Sequence, residues 1–211
     1  MTEFSSPLFV LASGSPTRKQ LLENAGIHPV VCVSNFDESQ VTLTDPAELV
    51  QVLARSKAES VVSQFAGKHA LIMGCDSVLS VDGEIYGKPE NRAKAIAMWQ
   101  KMRGYKGELY TGHSLIDVQR QRTFVRYALT TVYFADATDL EISSYVDTGE
   151  PLACAGCFAL ERLGGLLVER LEGCHTNVLG LSLPLLRQML RSLGYSLQFE
   201  AQGTVIRRHP L

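Results

Sequence analysis

Several stretches of this chain carry residues whose type and spacing suit the handling of a phosphorylated small molecule. Leu11-Ala12-Ser13-Gly14-Ser15-Pro16-Thr17-Arg18-Lys19 follows an apolar run (Leu8 to Leu11) and opens an amphipathic segment bearing Leu21, Leu22 and Ala25. Ser15 suits an N-cap, and Pro16 the first helical position, where its missing N–H would have no partner in any case. Strand, small-residue turn and helix start leave backbone N–H groups facing outward. Phosphate favours such a place, and Arg18 and Lys19 add mobile positive charge there. The same pattern also serves as ordinary punctuation before a helix.

Asp76 stands at the exit of an otherwise apolar strand, just past Gly74. Asp82-Gly83 is a strong two-residue hairpin signal, and it sets Val81 opposite Glu84. Extending that ladder brings Ser77 opposite Lys88 and Asp76 opposite Pro89, so Asp76 and Lys88 become neighbours. Gly87 and Pro89 argue against a regular ladder there, and an ordinary surface pair at a hairpin base is the competing reading.

Lys57 lies inside the apolar stripe of a helix, at i+4 from Leu53 among Val50, Ala54, Ala58, Val61 and Phe65. A lysine on a buried face either snorkels outward or meets an anion, and a triphosphate would be such an anion. Glu38, beside Asp37, is an acidic loop residue that either stays solvated or pairs with Asp76 as a second carboxylate. Two carboxylates are a usual supply for Mg²⁺ that also contacts substrate phosphates.

The elements that must position these residues read as an interleaved set. Strands are expected at Phe9–Ala12, Pro29–Val33 and Ala70–Val81. Helices are expected at Pro16–Ala25, from Pro46 to about Phe65, and at Asn91–Met102. Two long strands (Glu108–Val118, Thr123–Phe134) follow, then a helix opened by the capping box Thr138-Asp139-Leu140-Glu141. A glycine-rich segment, the strand Leu166–Val168 and a last helix (Leu183–Leu193) complete the order. Helices interleave early and hairpins dominate the middle, so the expectation is an α/β fold with a mixed sheet. Residues 1–200 read as a single domain and 201–211 as a polar C-terminal tail.

The bulk properties narrow the partners. The chain has 211 residues, 45% hydrophobic and 20% charged, with a formal net charge of −2. Proteins that coat nucleic acid are usually strongly basic, so a local cluster holding a nucleotide is favoured over a duplex. The N-terminus, with Glu3 and no basic cluster, does not read as a signal peptide. No window approaches the roughly 18 apolar residues of a membrane span, and no membrane partner is expected. The five cysteines (Cys32, Cys75, Cys154, Cys157, Cys174) are an odd number, which fits a reduced cytoplasmic compartment better than a disulfide scaffold. Cys154 and Cys157 form a lone CxxC. A zinc or redox role is weighed there against small buried thiols.

Taken together, these segments resemble one family, the Maf proteins, which are nucleoside triphosphate pyrophosphatases. The resemblance runs through L-A-S-G-S-P-T-R-K-Q-L-L (Leu11 to Leu22), F-D-E at Glu38, S-K-A at Lys57, G-C-D-S at Asp76 and G-K-P at Gly87 to Pro89. It continues with Y-T-G at Tyr110 to Gly112, G-E-P-L-A-C-A-G-C-F-A-L-E from Gly149 to Glu161, and N-V-L-G-L-S-L near the end. It implies a mixed twisted sheet flanked by helices, with two lobes around a deep cleft as in inosine triphosphatase-like folds. It further implies hydrolysis of a nucleoside triphosphate to monophosphate and pyrophosphate, with Mg²⁺ or Mn²⁺, in a cytoplasmic homodimer that limits incorporation of non-standard nucleotides. By the same resemblance Asp76 is the proton acceptor. Ser13, Arg18, Glu38, Lys57 and Lys88 form the polar cleft set, and Thr17, Ser77 and Glu161 tune base choice. On the chemistry of the residues themselves, Glu38 and Asp76 are expected to hold the metal, Lys57, Lys88 and Arg18 to neutralise charge on the leaving pyrophosphate, and Ser15 to join Ser13 in substrate binding.

Two departures bear on the base. Thr17 stands where many members carry an arginine, and Glu161 where many carry glutamine. With the Cys-Ala-Gly-Cys-Phe run they lean toward the branch acting on 7-methyl-GTP rather than on dTTP and UTP. The alternative from another class is a non-catalytic nucleotide-binding regulator of cell division.

Overall fold

The computed structural model describes residues 6–208, so Glu3 and the last three residues lie outside the described part. A seven-stranded mixed sheet forms the centre. Strands β1 (Leu8–Leu11), β2 (Val30–Val31) and β3 (Ala70–Val81) pair in parallel in the order β2-β1-β3. On the other side of β3, β5 (Lys106–Asp117), β6 (Arg122–Phe134) and β7 (Val168–Glu172) add antiparallel, and the short β4 (Glu84–Tyr86) folds back on the end of β3. The expected mixed α/β sheet is therefore present. The hairpin register Val81 opposite Glu84 also holds, with Asp82 and Gly83 both at positive φ as a two-residue turn of this kind requires.

Strand alternation sorts the helices. Val10, Ile72 and Ile116 point to the face covered by α2 (Pro46–Glu59), whose Ala58 packs there with Val61 and Phe65 beyond it. Leu11, Leu71, Met73 and Leu115 point to the opposite face, where α1 (Pro16–Asn24) and α6 (Leu183–Ser192) bring Leu21, Leu22, Leu185, Leu186 and Met189. Further along that second face lies another core. There Leu79, Leu109 and Phe134 meet Trp99 and Met102 of α3 (Arg92–Met102) and Ile142 and Tyr145 of α4 (Asp139–Asp147). Buried Thr111 falls between these two cores on β5, as Ser77 does on β3.

The start signals read at Ser15 and Thr138 hold, and the other long helices are capped in the same way, because each cap satisfies orphan helix N–H groups. Ser15, Asp45, Asn91, Thr138 and Ser182 each accept a backbone N–H of the first turn, and Thr138 with Glu141 forms the full capping box. Three differences from the sequence reading stand out. Helix α2 ends at Glu59, and Val62–Phe65 is a separate 3₁₀ turn. The strand expected from Leu166 starts at Val168, after a 3₁₀ segment over Leu163–Leu167. Residues 201–208 are not a polar tail: β8 (Tyr195–Glu200) and β9 (Gly203–Arg208) form a hairpin. Buried Tyr195 and Ile206 dock that hairpin on the α1/α6 core, two apolar anchors that an otherwise polar stretch hides.

Candidate active site

Along one edge, β3 pairs with β1 over residues 70–73 and with β4 over residues 79–81. Among the described residues none from 74 to 78 has a strand partner on that edge. The gap holds Asp76 and Ser77, with the Ser13–Ser15 turn leaving the end of β1 beside it. Consecutive strand residues face opposite ways, so Asp76 looks to the α2 side and Ser77 to the α1 side. Chemistry from both faces therefore meets at one break in the ladder.

On the α2 side, Lys57 Nζ lies 2.5 Å from Asp76 Oδ1 and 2.7 Å from Glu38 Oε1. Lys57 is only 13% exposed and Asp76 10%, whereas Glu38 is 55% exposed, so the ammonium joins a buried carboxylate to one in contact with water. Glu38 reaches this point from a 3₁₀ turn (Glu38–Gln40) capped by Asp37, whose carboxylate accepts the Ser39 N–H. The two outcomes weighed for Lys57 are thus decided in favour of an anion, and the anion is a pair of carboxylates. Burial raises the Asp76 carboxyl above its ordinary value. Lys57 and Arg18 pull it back and Glu38 pushes it further up. A carboxylate held this way is a stronger base than a solvated one.

Helix α2 reaches Asp76 because two strand residues lack side chains. A Cβ on Gly74 would fall on the Ala54 carbonyl oxygen, and one on Gly112 on that of Val50. Gly112 is also the cross-strand partner of Asp76. The helix backbone rests directly on the sheet there, which sets Lys57 over the carboxylate. An isolated glycine inside a strand is the sequence signal for such close approach.

On the α1 side, Arg18 is fixed on three acceptors. Its Nε donates to the Gly180 carbonyl at 2.7 Å, Nη1 to Ser13 Oγ at 3.2 Å and Nη2 to Ser77 Oγ at 3.1 Å. This corrects the expectation of mobile charge: the guanidinium is an architectural cation aimed at the gap. Lys19 faces solvent and pairs with Glu23 one turn on. Ser13 Oγ also accepts the Ser15 N–H, and Ser15 caps α1 through the Arg18 N–H. Ser77 Oγ exchanges a hydrogen bond with Thr111 Oγ1 (2.9 Å), which also donates to the Asn177 carbonyl.

Behind this set, buried His113 bridges β5 to the start of α6. Its Nδ1 lies 2.9 Å from the Thr111 carbonyl, and its Nε2 accepts the Ser182 N–H at 2.8 Å. Those partners require a neutral ring, and burial depresses its pKa to about 3. Thr111, His113, Asn177 and Gly180 are supporting residues that sequence reasoning misses. Thr111 lies in the Y-T-G segment and Asn177 and Gly180 in N-V-L-G, whereas His113 lies in neither, and residue type does not announce which distant backbone groups these residues meet.

The regular ladder that would set Ser77 opposite Lys88 and Asp76 opposite Pro89 does not form. The ladder ends at Leu79 opposite Tyr86, and Lys88 sits exposed two residues past β4. The physical reason is the one Gly87 raised: its carbonyl accepts the Gly156 N–H, which ties the segment to residues 155–157 instead of to β3. Thr17 and Glu161 do come together, Thr17 Oγ1 donating to Glu161 Oε1 at 2.8 Å. All five cysteines are free thiols. Cys157 is buried and pushed up to about 12, which fits the small buried residue rather than a reactive pair.

Comparison with known proteins identifies the family. The family model described as Maf-like protein matches residues 8–193. A protein of Nostoc punctiforme named nucleoside triphosphate pyrophosphatase is 60% identical over 189 residues, covering 90% of this chain and 95% of the relative. Proteins of the same name from Gloeothece citriformis (60% identical, 89% of this chain, 95% of the relative) and Synechocystis (57%, 91% and 97%) match over nearly the same span. Among the described residues no helix is long and apolar enough to cross a membrane. The chain belongs to the Maf-like protein family.

Proposed function

We propose that the chain is a nucleoside triphosphate pyrophosphatase, a hydrolase that cleaves an acid anhydride to release a nucleoside monophosphate and pyrophosphate. The observation that carries this reading is the convergence of Asp76 and Glu38 on Lys57 at the break in the β3 edge. The relatives' shared name supports it.

In this reading water attacks the α-phosphorus in line with the bond to the bridging oxygen, and that oxygen leaves with the pyrophosphate. Asp76, with its raised proton affinity, orients the water and takes its proton. Lys57 and Arg18 present positive charge on the two sides of the gap, where the phosphate chain gains negative charge on cleavage. The Ser13–Ser15 turn offers the capped start of α1 to a phosphate oxygen.

Two carboxylates without softer ligands suit a hard divalent cation, which then completes its shell with substrate phosphates and water. Among the described residues no larger cluster of His, Cys, Asp or Glu is placed to cage a metal, so a cation shared with substrate is the form that fits. Glu38 and Asp76 would hold Mg²⁺ or Mn²⁺, which would neutralise phosphate charge and lower the pKa of a bound water.

Glu161, opposite Thr17, is read as the group that meets the nucleobase. Its carboxylate accepts N–H donors of a purine edge, and the positive charge of a 7-methylated guanine strengthens those bonds. The reading extends to a cytoplasmic homodimer that removes non-standard nucleotides, which light scattering on the purified protein checks for assembly state. The decisive experiment is pyrophosphate release across 7-methyl-GTP, dTTP and UTP with Mg²⁺ or Mn²⁺. Release from none of them rejects the reaction, and a preference for the pyrimidines rejects the base assignment.

A further inference from the structure

Glu161 is carried by the turn-rich segment 159–165, and three of that segment's seven backbone N–H groups end on two neighbouring side chains, Tyr145 of α4 and Glu150 just beyond it. The Arg162 N–H bonds the Ala159 carbonyl, and the Gly165 N–H the Arg162 carbonyl. Between those turns, the Gly164 N–H donates to Glu150 Oε1 at 3.0 Å and the Leu163 N–H to Glu150 Oε2 at 3.4 Å. Tyr145 Oη donates to Glu150 Oε1 at 3.0 Å and accepts the Ala159 N–H at 3.3 Å. One carboxylate and one phenol thus take three backbone N–H groups of the segment and each other. Backbone donors must find partners, and here they find them in a fixed geometry.

The holder itself is rigid. Tyr145 belongs to α4 and is buried, with its ring edge-on to Trp99 at 5.6 Å between centroids. The Glu150 N–H is held by Thr148 Oγ1, which in turn donates to the Tyr145 carbonyl. The segment is drawn so close that a Cβ on Gly164 would collide with Tyr145 Oη, and one on Gly165 with the Leu160 carbonyl.

We propose that Glu150, acting with Tyr145, is a positioning residue for nucleobase selection. It fixes the 159–165 turn so that the Glu161 carboxylate stands opposite Thr17 before substrate arrives, where it meets the N–H edge of a purine. A carboxylate on a loose turn would bind many bases weakly, whereas one held in place rejects bases that leave it unpaired. This inference rests on the reading of Glu161 as the base-contacting group.

The test compares kcat/KM for 7-methyl-GTP, dTTP and UTP in the wild type, E150A, E161A, the double variant, Y145F and E150Q. The ratio of best to worst nucleotide should fall at least about tenfold in E150A, through KM, with kcat for the best substrate within about threefold. The double variant should lose no more discrimination than E161A alone, because both changes disable one device. Y145F should move the ratio in the same direction. E150Q keeps one oxygen for Gly164 and Tyr145 and should retain most of it. A merely structural role would lower melting temperature and scale all three nucleotides alike. An unchanged ratio in E150A beside a collapsed one in E161A overturns the proposal and leaves the base reading standing. An unchanged ratio in E161A removes the base reading and this proposal together. If circular dichroism shows E150A unfolded, Y145F takes its place: a lowered ratio there supports the proposal and an unchanged one overturns it.

Discussion

Gly112 stands directly opposite Asp76 in the β3–β5 ladder, and its missing side chain is what lets the α2 backbone settle on the sheet beside that carboxylate. The geometry of the candidate site therefore depends on a residue with no functional group. Replacing it by alanine forces a methyl group onto the Val50 carbonyl, so the helix must lift and take Lys57 with it. G112A should cost at least about 2 kcal/mol by urea denaturation, and turnover should fall by more than the loss of folded protein explains. A stable, fully active G112A would show that α2 is not seated by this contact.

Asp76 can be tested without removing its shape. Burial makes its charge costly, outweighing Lys57 and Arg18, so a neutral amide is not expected to destabilise the fold. D76N should melt no lower than the wild type while kcat drops at least about a hundredfold. Retained turnover would remove Asp76 from the reaction.

The same burial sets a pH dependence. The Asp76 pKa is raised in the folded chain, so the stability this group contributes is full below its ordinary value of 3.8 and is lost as pH rises through the raised folded value. With Asp76 as the proposed proton acceptor, turnover should rise through the same window. Carbon-13 NMR titration of the Asp76 carboxyl should place its midpoint above 3.8, and higher still in K57M, because Lys57 is the largest of the influences that lower it. A midpoint at or below 3.8 in the wild type would mean that burial does not dominate.

Chelation tests the carboxylate pair. EDTA should abolish pyrophosphate release, and added Mg²⁺ or Mn²⁺ should restore it. E38Q should raise the metal concentration for half-maximal rate at least about tenfold while leaving the melting temperature nearly unchanged, since Glu38 is half exposed. Activity indifferent to EDTA would mean that side-chain cations such as Lys57 and Arg18 meet the phosphates without a metal.

Much of this protein is legible in its order of residues. Caps at Ser15, Asp45, Asn91, Thr138 and Ser182 mark helix starts because orphan N–H groups need local acceptors, and local needs leave local signals. The Asp82-Gly83 turn sets the hairpin register for the same reason, and Lys57 betrays itself as a charge on an apolar stripe. Tertiary structure alone decided what lies across space. It ended the β3–β4 ladder before Lys88, turned Arg18 from a mobile charge into one bound on Ser13, Ser77 and Gly180, and made the polar-looking residues 201–208 part of a docked hairpin. Each of those outcomes involves a backbone group or a side chain contributed by a distant segment. Neither periodicity nor residue type records which segment that will be.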